Sequence, residues 1–418
     1  MAFQQPKQYE LSVAQSDVPA SMLPSRAVRP VNMMQRLVQV PAQNGAQTAG
    51  GVLSFLLNNA GNYIKNGSVY LRLKIQPDAA ARGNADGTST WSGAGPTSGL
   101  SSIINRCTIF VNGVVAEQIN NYHIVHEKLI CHASAAPYIT NDLKLYEGAG
   151  VTYAAAAGVR PVAAEVCIPL LSGLLTCGHD FPLFLAGSGM QINFDLNALA
   201  TALATQGSAY ATAITNYDVT NAYLCYEELQ PDAAMVAAMK GQMAAKPFSI
   251  PFVSYRTFQS APTAAFSQPL GLNMSSLRGL LWTHWVKADL AAEGVLADNT
   301  QSVARVFLDG RLINSYNLDA QTCPAQSFIE MNRVWNKPQD NSVTSYPSIT
   351  AATYLSTYFL GGVSATKTHL AGFSFCGQPV NQALIELTLG ATNGQTFLTA
   401  VYDCVLVMDG VGNVSLVQ

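Results

Sequence analysis

The sequence predicts an all-β protein of two β-sandwich units in tandem, joined by a short helix and carrying long loops. Short runs with strict alternation recur along the 418 residues, as where Val69, Leu71, Leu73 and Ile75 alternate with Tyr70, Arg72 and Lys74, and a half-buried strand requires that period of two. These runs are punctuated by Gly, Asn and Pro, the residues of tight turns. The order of motifs in the first half of the chain also returns in the second. A chain of this length exceeds the roughly 250 to 300 residues at which one core stops growing, so two units of about 200 residues each are expected.

Residues 1–30 are rich in Gln, Ser and Pro, show no sustained period, and read as an N-terminal arm without its own core. The first unit spans 31–230 and opens with strand signals at 36–40, 52–57 and 68–75. Three Gly, Ala, Ser and Thr segments, 77–99, 133–164 and 198–216, read as long loops. Between 107 and 115 two strands meet at Val111-Asn112-Gly113, where Asn-Gly supplies the positive φ of a hairpin turn. The following segment, 117–131, fits a helix or a strand.

The stretch 165–197 is too interrupted for a helix, because Gly173, Gly178, Pro182 and Gly187 would each cost a helix interior about 1 to 3 kcal/mol. It reads instead as short strands and turns, ending in a strand with Ile192, Phe194 and Leu196 on one face and Asn193, Asp195 and Asn197 on the other. Ala222 to Tyr226 closes the unit. The one sustained helical pattern covers 231–246, with Asp232 as N-cap and Met235, Met239 and Met243 one turn apart on a face that packs on the core.

The second unit, 247–418, repeats the first, with a further loop at 337–350. Val306-Phe307-Leu308-Asp309-Gly310 echoes Ile109-Phe110-Val111-Asn112-Gly113, and Ile385, Leu387 and Leu389 alternate as Ile192, Phe194 and Leu196 do. Tyr402-Asp403-Cys404-Val405 echoes Tyr223-Leu224-Cys225-Tyr226. Two β-rich units with the same order imply duplication, and strands at short spacing with long loops point to jelly rolls.

Charged residues make up 11% of the chain, against about 25% in soluble domains. So few charges imply that much of the exterior is covered by other copies, since assembly interfaces shed charge and keep apolar and small polar groups. A net charge of −3 without any basic run argues against a nucleic-acid grip, sequence-specific binding included. The N-terminus has neither a cationic start nor an apolar run of the secretory kind, and no stretch has the roughly 18 uninterrupted apolar residues of a membrane span. Eight cysteines lie far apart with no CxxC, and Cys225 and Cys404 fall inside apolar strand patterns, so they read as free thiols of a reducing compartment.

Motifs that suggest chemistry are weak. His123 and His126 before Glu127 match neither HExxH nor HxxEH and lack a third ligand. Cys177-Gly178-His179-Asp180 suits a turn between two apolar runs. Cys376 stands where a GxSxG elbow around Ser374 needs its last Gly, and Ala186 spoils Ser188 in the same way. Phosphate-cradling glycine loops are missing. Trp282-Thr283-His284-Trp285 reads as core and interface. The sequence therefore predicts no catalytic, cofactor or metal site.

The Pro-Leu stretch at 165–197, the 103–122 segment with its Asn-Gly turn, the helix at 231–246 and the repeat together resemble the double jelly-roll major capsid proteins. These belong to the tailless icosahedral double-stranded DNA viruses, a lineage with tectivirus-like phages, adenoviruses and large algal viruses. The resemblance covers about residues 31–418. It implies a homotrimer whose six barrels stand as a pseudo-hexagonal block and tile an icosahedral shell with neighbouring capsomers, penton and minor capsid proteins. It also implies residence in the virion after synthesis in the host cytoplasm or another reducing compartment, towers built from the long loops, and assembly without enzymatic chemistry. The arm would lie inward, toward minor proteins or an internal membrane, through Phe3, Tyr9, Leu11, Met22, Leu23, Arg26 and Arg29.

Two other readings compete. A jelly-roll amidase or glycan-cleaving enzyme needs a carboxylate pair, and the adjacent Glu227 and Glu228 point to opposite faces of a strand. A glycan-binding or receptor-binding protein would expose aromatics among Trp91, Trp282, Trp285 and Trp335.

Overall fold

A computed structural model of the chain describes residues 33–58, 61–77, 87–90, 99–126, 142–147, 152–155, 164–202, 204–206, 216–260, 263–286, 295–334, 351–366, 376–391 and 394–418. The arm residues Phe3, Tyr9, Leu11, Met22, Leu23, Arg26 and Arg29, and the loop 337–350, lie outside the described residues.

The first unit has eight principal strands: β1 (Met33–Pro41), β2 (Val52–Leu57), β3 (Tyr70–Pro77), β4 (Ile104–Val111), β5 (Val114–Asn120), β6 (Ala164–Pro169), β7 (Met190–Leu196) and β8 (Tyr217–Pro231). They pair antiparallel into two sheets, ordered β1-β8-β3-β6 and β2-β7-β4-β5. The inward residues are those the alternation marks. Leu71, Leu73 and Ile75 on β3 and Ile192 and Phe194 on β7 are each no more than 1% exposed.

The second unit contains β9 (Phe248–Ser260), β10 (Ala265–Val286), β11 (Val303–Leu308), β12 (Arg311–Leu312), β13 (Gly361–Ser364), β14 (Gln378–Thr388), β15 (Gln395–Met408) and a terminal β16 (Val414–Val417) on β15. Its sheets run β9-β15-β10-β13 and β10-β14-β11-β12. The 22 residues of β10 serve both sheets, pairing with β14 from Ala265 to Leu277 and with β15 from Leu277 to Trp285. Irregularities between Gly271 and Leu277 bend it from one sheet to the other. One long strand thus does the work of β2 and β3, and both units share the strand order of a jelly roll built from two Greek keys.

The duplication extends to register. Ile192 faces Ile109 across β7 and β4, and Ile385 faces Val306 across β14 and β11. The two hairpin turns match in backbone angle, with φ of 48° and 79° at Asn112 and Gly113 and 45° and 78° at Asp309 and Gly310. In both, the N–H of the first turn residue donates at 3.0 Å to a carbonyl of the neighbouring strand segment, Asn112 to Gly189 just before β7 and Asp309 to Gln382 within β14. The third echo is displaced by one residue. On β8 Leu224 and Tyr226 join the core while Cys225 lies opposite Tyr70, but on β15 Tyr402 and Cys404 face inward. The pleat reverses sides at every step, so residues alike in type but one place out of register face opposite ways.

The helix Ala233–Ala245 begins as expected, Asp232 accepting from the Met235 N–H at 2.7 Å. Val236, Met239 and Met243 pack half-buried against the core, and Met239 sulfur accepts the Tyr63 hydroxyl at 3.0 Å. Helices also form at Pro324–Val334 and Ala351–Ser356, beyond the single one expected. The ambiguous 117–131 segment is both things in turn, strand to Asn120 and helical at 122–126. The three segments read as loops each contribute a strand to a small antiparallel sheet, with Gly87–Thr90 between Thr152–Ala155 and Ala204–Gln206.

Candidate assembly surface

β5 and β9 are edge strands of their sheets, and the chain seats one unit against the other along them. Glu117 on β5 is 3% exposed at this seam. Its carboxylate accepts the Ser172 hydroxyl, the Gly173 N–H at 2.9 Å, the Leu174 N–H at 3.3 Å and, across the seam, the Ser254 hydroxyl of β9 at 3.3 Å. Burial pushes the Glu117 carboxyl above its usual range, outweighing these donors. At Gly173 the two units approach too closely for a side chain, because a Cβ there would stand 1.8 Å from the Val253 carbonyl oxygen. Toward the hairpin end, the Asn112 side-chain amide donates to the Gly412 carbonyl at 2.8 Å. Beyond the far end of β5, His123 sets its ring edge-on to Trp285 at 5.9 Å, and Ile124, Trp285, Leu296 and Phe397 form an apolar cluster.

Beside the seam is a hollow of about 300 Å³ that includes Tyr255, Arg278 and Asp403 in its wall. Asp403 is 1% exposed and accepts from the Ser276 hydroxyl and Arg278 Nε, both at 2.5 Å, and from the Cys376 N–H at 3.2 Å. A carboxylate so engaged ties β10 to β15 and to the chain entering β14 rather than facing a ligand.

The sequence motifs fall into structural roles. His126 Nε2 lies 3.2 Å from Glu147 and stacks on Tyr122, and His123 Nδ1 lies 3.1 Å from the Asn197 amide. Among the described residues no group of three or more ligand-type side chains is placed to hold a metal ion. Cys177 to Asp180 forms a turn with φ of 90° at Gly178, whose N–H donates to Asn66, while Asp180 accepts from the Asn66 N–H. The Ser188 hydroxyl donates to Asn112 at 2.9 Å. Ser374, Trp91 and Trp335 lie outside the described residues.

Trp282, Thr283 and His284 are fully buried and Trp285 is 8% exposed. Trp282 Nε1 donates to Gln301 at 2.7 Å. Glu228 is buried and takes Arg36 and Asn62, while Glu227, on the opposite face, takes Lys65 at 2.5 Å and Gln35 at 2.6 Å. Both carboxylates are thus engaged in tying strands together.

Exposed apolar side chains gather elsewhere. β1 pairs only with β8 among the described residues, and it presents Met34 at 58% and Leu37 at 78% exposure. On the second unit Leu312, Tyr316 and Ile329 are exposed. Sequence reading found neither these surfaces nor Glu117, because each is defined by what a neighbouring strand leaves open or covers.

No family model matches the chain, and no curated protein matches it by sequence. Solved structures do. A chain of the PBCV-1 virus capsid is similar at 12% identity, covering 94% of this chain and 99% of that one, with a TM-score of 0.59. The Faustovirus major capsid protein is similar at 10% identity, with 97% and 95% covered and a TM-score of 0.57. The mavirus major capsid protein is similar at 13% identity, with 100% and 95% covered and a TM-score of 0.51. The chain has the double jelly-roll fold. In this double jelly roll both barrels are complete, and the match extends over nearly the whole length of each solved chain.

Proposed function

We propose that this double jelly roll is a viral major capsid protein, which self-assembles as pseudo-hexagonal homotrimers that tile an icosahedral shell. The observation that carries the reading is the side-by-side seating of two complete jelly rolls in one chain, edge strand to edge strand, with polar groups spent on joining strands. A molecule of this kind supplies two similar blocks at a fixed angle, and three copies supply six. Its low charge fits a surface that is covered on assembly.

On this reading the units 31–230 and 247–418 are the two blocks, and the helix between them, 231–246, is the link. The small sheet of Gly87–Thr90, Thr152–Ala155 and Ala204–Gln206 is a tower at the outer face. The arm 1–30 lies inward through Phe3, Tyr9, Leu11, Met22, Leu23, Arg26 and Arg29, against minor capsid proteins or an internal membrane, and penton proteins complete the shell. The work of the molecule is assembly rather than catalysis. A glycan-binding role loses support from the burial of Trp282 and Trp285, and a hydrolase role from the structural engagement of Glu227 and Glu228.

Light scattering after gel filtration tests the reading. A mass near three times 44.4 kDa, with hexagonal outlines in negative stain, is expected. A protein that stays monomeric at high concentration refutes it.

A further inference from the structure

The segment 122–126 lies just past β5, at the end of the seam away from the Asn112 turn, and carries two buried histidines in opposite surroundings. His126 sets Nε2 at 3.2 Å from one oxygen of the Glu147 carboxylate, whose other oxygen accepts the Ser101 N–H at 3.3 Å. A carboxylate accommodates a charged imidazole. His123, 4% exposed, instead meets the side-chain amide of Asn197. The orientation of that amide is fixed, because its nitrogen donates at 2.8 Å to the Ser102 carbonyl, which can only accept. The same nitrogen stands 3.1 Å from His123 Nδ1, so Nδ1 must accept as well and carries no proton. Asn197 is held in place, since its backbone N–H donates to the Ile103 carbonyl and its own carbonyl takes the Tyr217 hydroxyl, both at 2.6 Å. Across the seam the His123 ring meets Trp285 of the second unit at 5.9 Å, beside the cluster that Trp285 makes with Ile124, Leu296 and Phe397.

We infer that His123 is an acid-sensitive latch between the two units: neutral, it accepts from Asn197 and rests against Trp285; protonated, it sets N–H against N–H, leaves that seat and frees this end of the seam. On its own segment the titratable groups are His126 and Tyr122, with Glu127 and Lys128 following outside the described residues. From the elements around it come Glu147, Glu117 and Cys107, whose charges reach Tyr122, and Tyr217, whose hydroxyl holds Asn197. The second unit adds His284, next to Trp285 and 2.8 Å from the Thr396 hydroxyl, and Asp298, which takes Gln321. Glu147 is already engaged by His126 and the Ser101 N–H. A fold that needs His123 neutral binds its proton less tightly than the unfolded chain does. The linked stability is therefore present above the ordinary imidazole value of about 6.5 and is lost as pH falls from there through the folded value. Glu117, farther along the same seam, responds in the opposite sense, because burial raises its carboxyl. Acid thus loosens the seam at one end. The latch lies within a single chain, so failure of its test leaves the capsid reading standing.

The test follows deuterium exchange at the imidazole C2 position of the full-length wild-type protein by mass spectrometry, over about pH 4 to 8, a range that spans the ordinary imidazole value. Fragment ions of the tryptic peptide 107–128 separate His123 from His126. His123 is expected to titrate at least about one unit below the ordinary value of about 6.5, and His126 above His123. An ordinary midpoint at His123, or His126 titrating below it, overturns the inference. As a second readout, His123→Asn keeps an acceptor near the Nδ1 position and cannot take up a proton. Between about pH 7.5 and 5.5 the wild-type urea midpoint should fall. Amide exchange at 122–126 and 283–286, corrected for its intrinsic pH dependence, should quicken over the same interval. The variant should show less of both changes. Equal acid losses in wild type and variant overturn the latch. The imidazole titration needs no variant, so it decides the matter if His123→Asn fails to fold.

Discussion

Gly173→Ala is the sharpest probe of the seam between the barrels. The new methyl would sit 1.8 Å from the Val253 carbonyl oxygen and 3.1 Å from the Glu117 carboxylate, whereas real Cβ contacts below 3.0 Å essentially do not occur. β9 must therefore retreat by a little over 1 Å, and the obstacle is backbone, which cannot rotate out of the way. A retreat of that size breaks the Ser254 bond to Glu117, already long at 3.3 Å. Overpacking of this kind costs about 1 to 3 kcal/mol, and a lost hydrogen bond to a buried carboxylate about 1 to 3 kcal/mol more. The expected loss is about 2 to 6 kcal/mol, read as a lower urea midpoint of tryptophan fluorescence, with Trp285 reporting on the same seam. Gly241→Ala is the control, because nothing lies within 4 Å of its Cβ position in the Ala233–Ala245 helix, and alanine there should stabilise by up to about 1 kcal/mol. A Gly173→Ala protein within about 0.5 kcal/mol of wild type, the range of an ordinary surface substitution, would refute the close approach on which the seam is built.

The raised Glu117 carboxyl makes stability depend on pH. The folded state holds that proton more tightly than the unfolded one, so the linked stability is fully present below about pH 4.5, the ordinary value, and is lost as pH rises through the folded value. Glu117→Gln should flatten this alkaline loss in urea titrations, and a difference from wild type that does not vary with pH would count against it. Asp232→Ala removes the cap on Met235 and should cost about 1 kcal/mol by thermal unfolding. At the repeated turn, Asp309→Ala takes the carboxylate from the N–H groups of Asn381 and Gln382, at 3.1 and 3.0 Å, and places alanine at φ of 45°. Amide exchange at those two residues should accelerate, with a stability loss of about 1 to 3 kcal/mol.

Local rules carried most of the fold. Alternation in β3 and β7 depends on a sheet having one dry face, and the Asn-Gly and Asp-Gly turns depend on φ alone, so all were legible from a few residues. The Pro324–Val334 helix carries its own local signal, with Pro at its first position, Arg333 in its last turn, and Ser327, Met331 and Val334 spaced to share the buried face. The small sheet left no such signal. Its Ala, Thr and Gly segments have no apolar alternation, and pairing alone makes them strands. Glu117 was also unreadable, because in sequence it is one polar position in a strand pattern. Its partners Ser172 and Ser254 arrive from 55 and 137 residues away, one from its own barrel and one from the other.

The three-stranded outgrowth ties together parts of the sequence that otherwise evolve as separate loops. Gly87–Thr90 is hydrogen-bonded on both sides, by Thr152–Ala155 and by Ala204–Gln206, so neither outer strand can shorten without baring an edge of the middle one. Insertions and deletions in these regions should therefore be inherited as a set. Lineages that enlarge one are expected to enlarge its partners, while the connections of the second barrel drift on their own. For peptide insertion, the unit of variation would be the outgrowth as a whole.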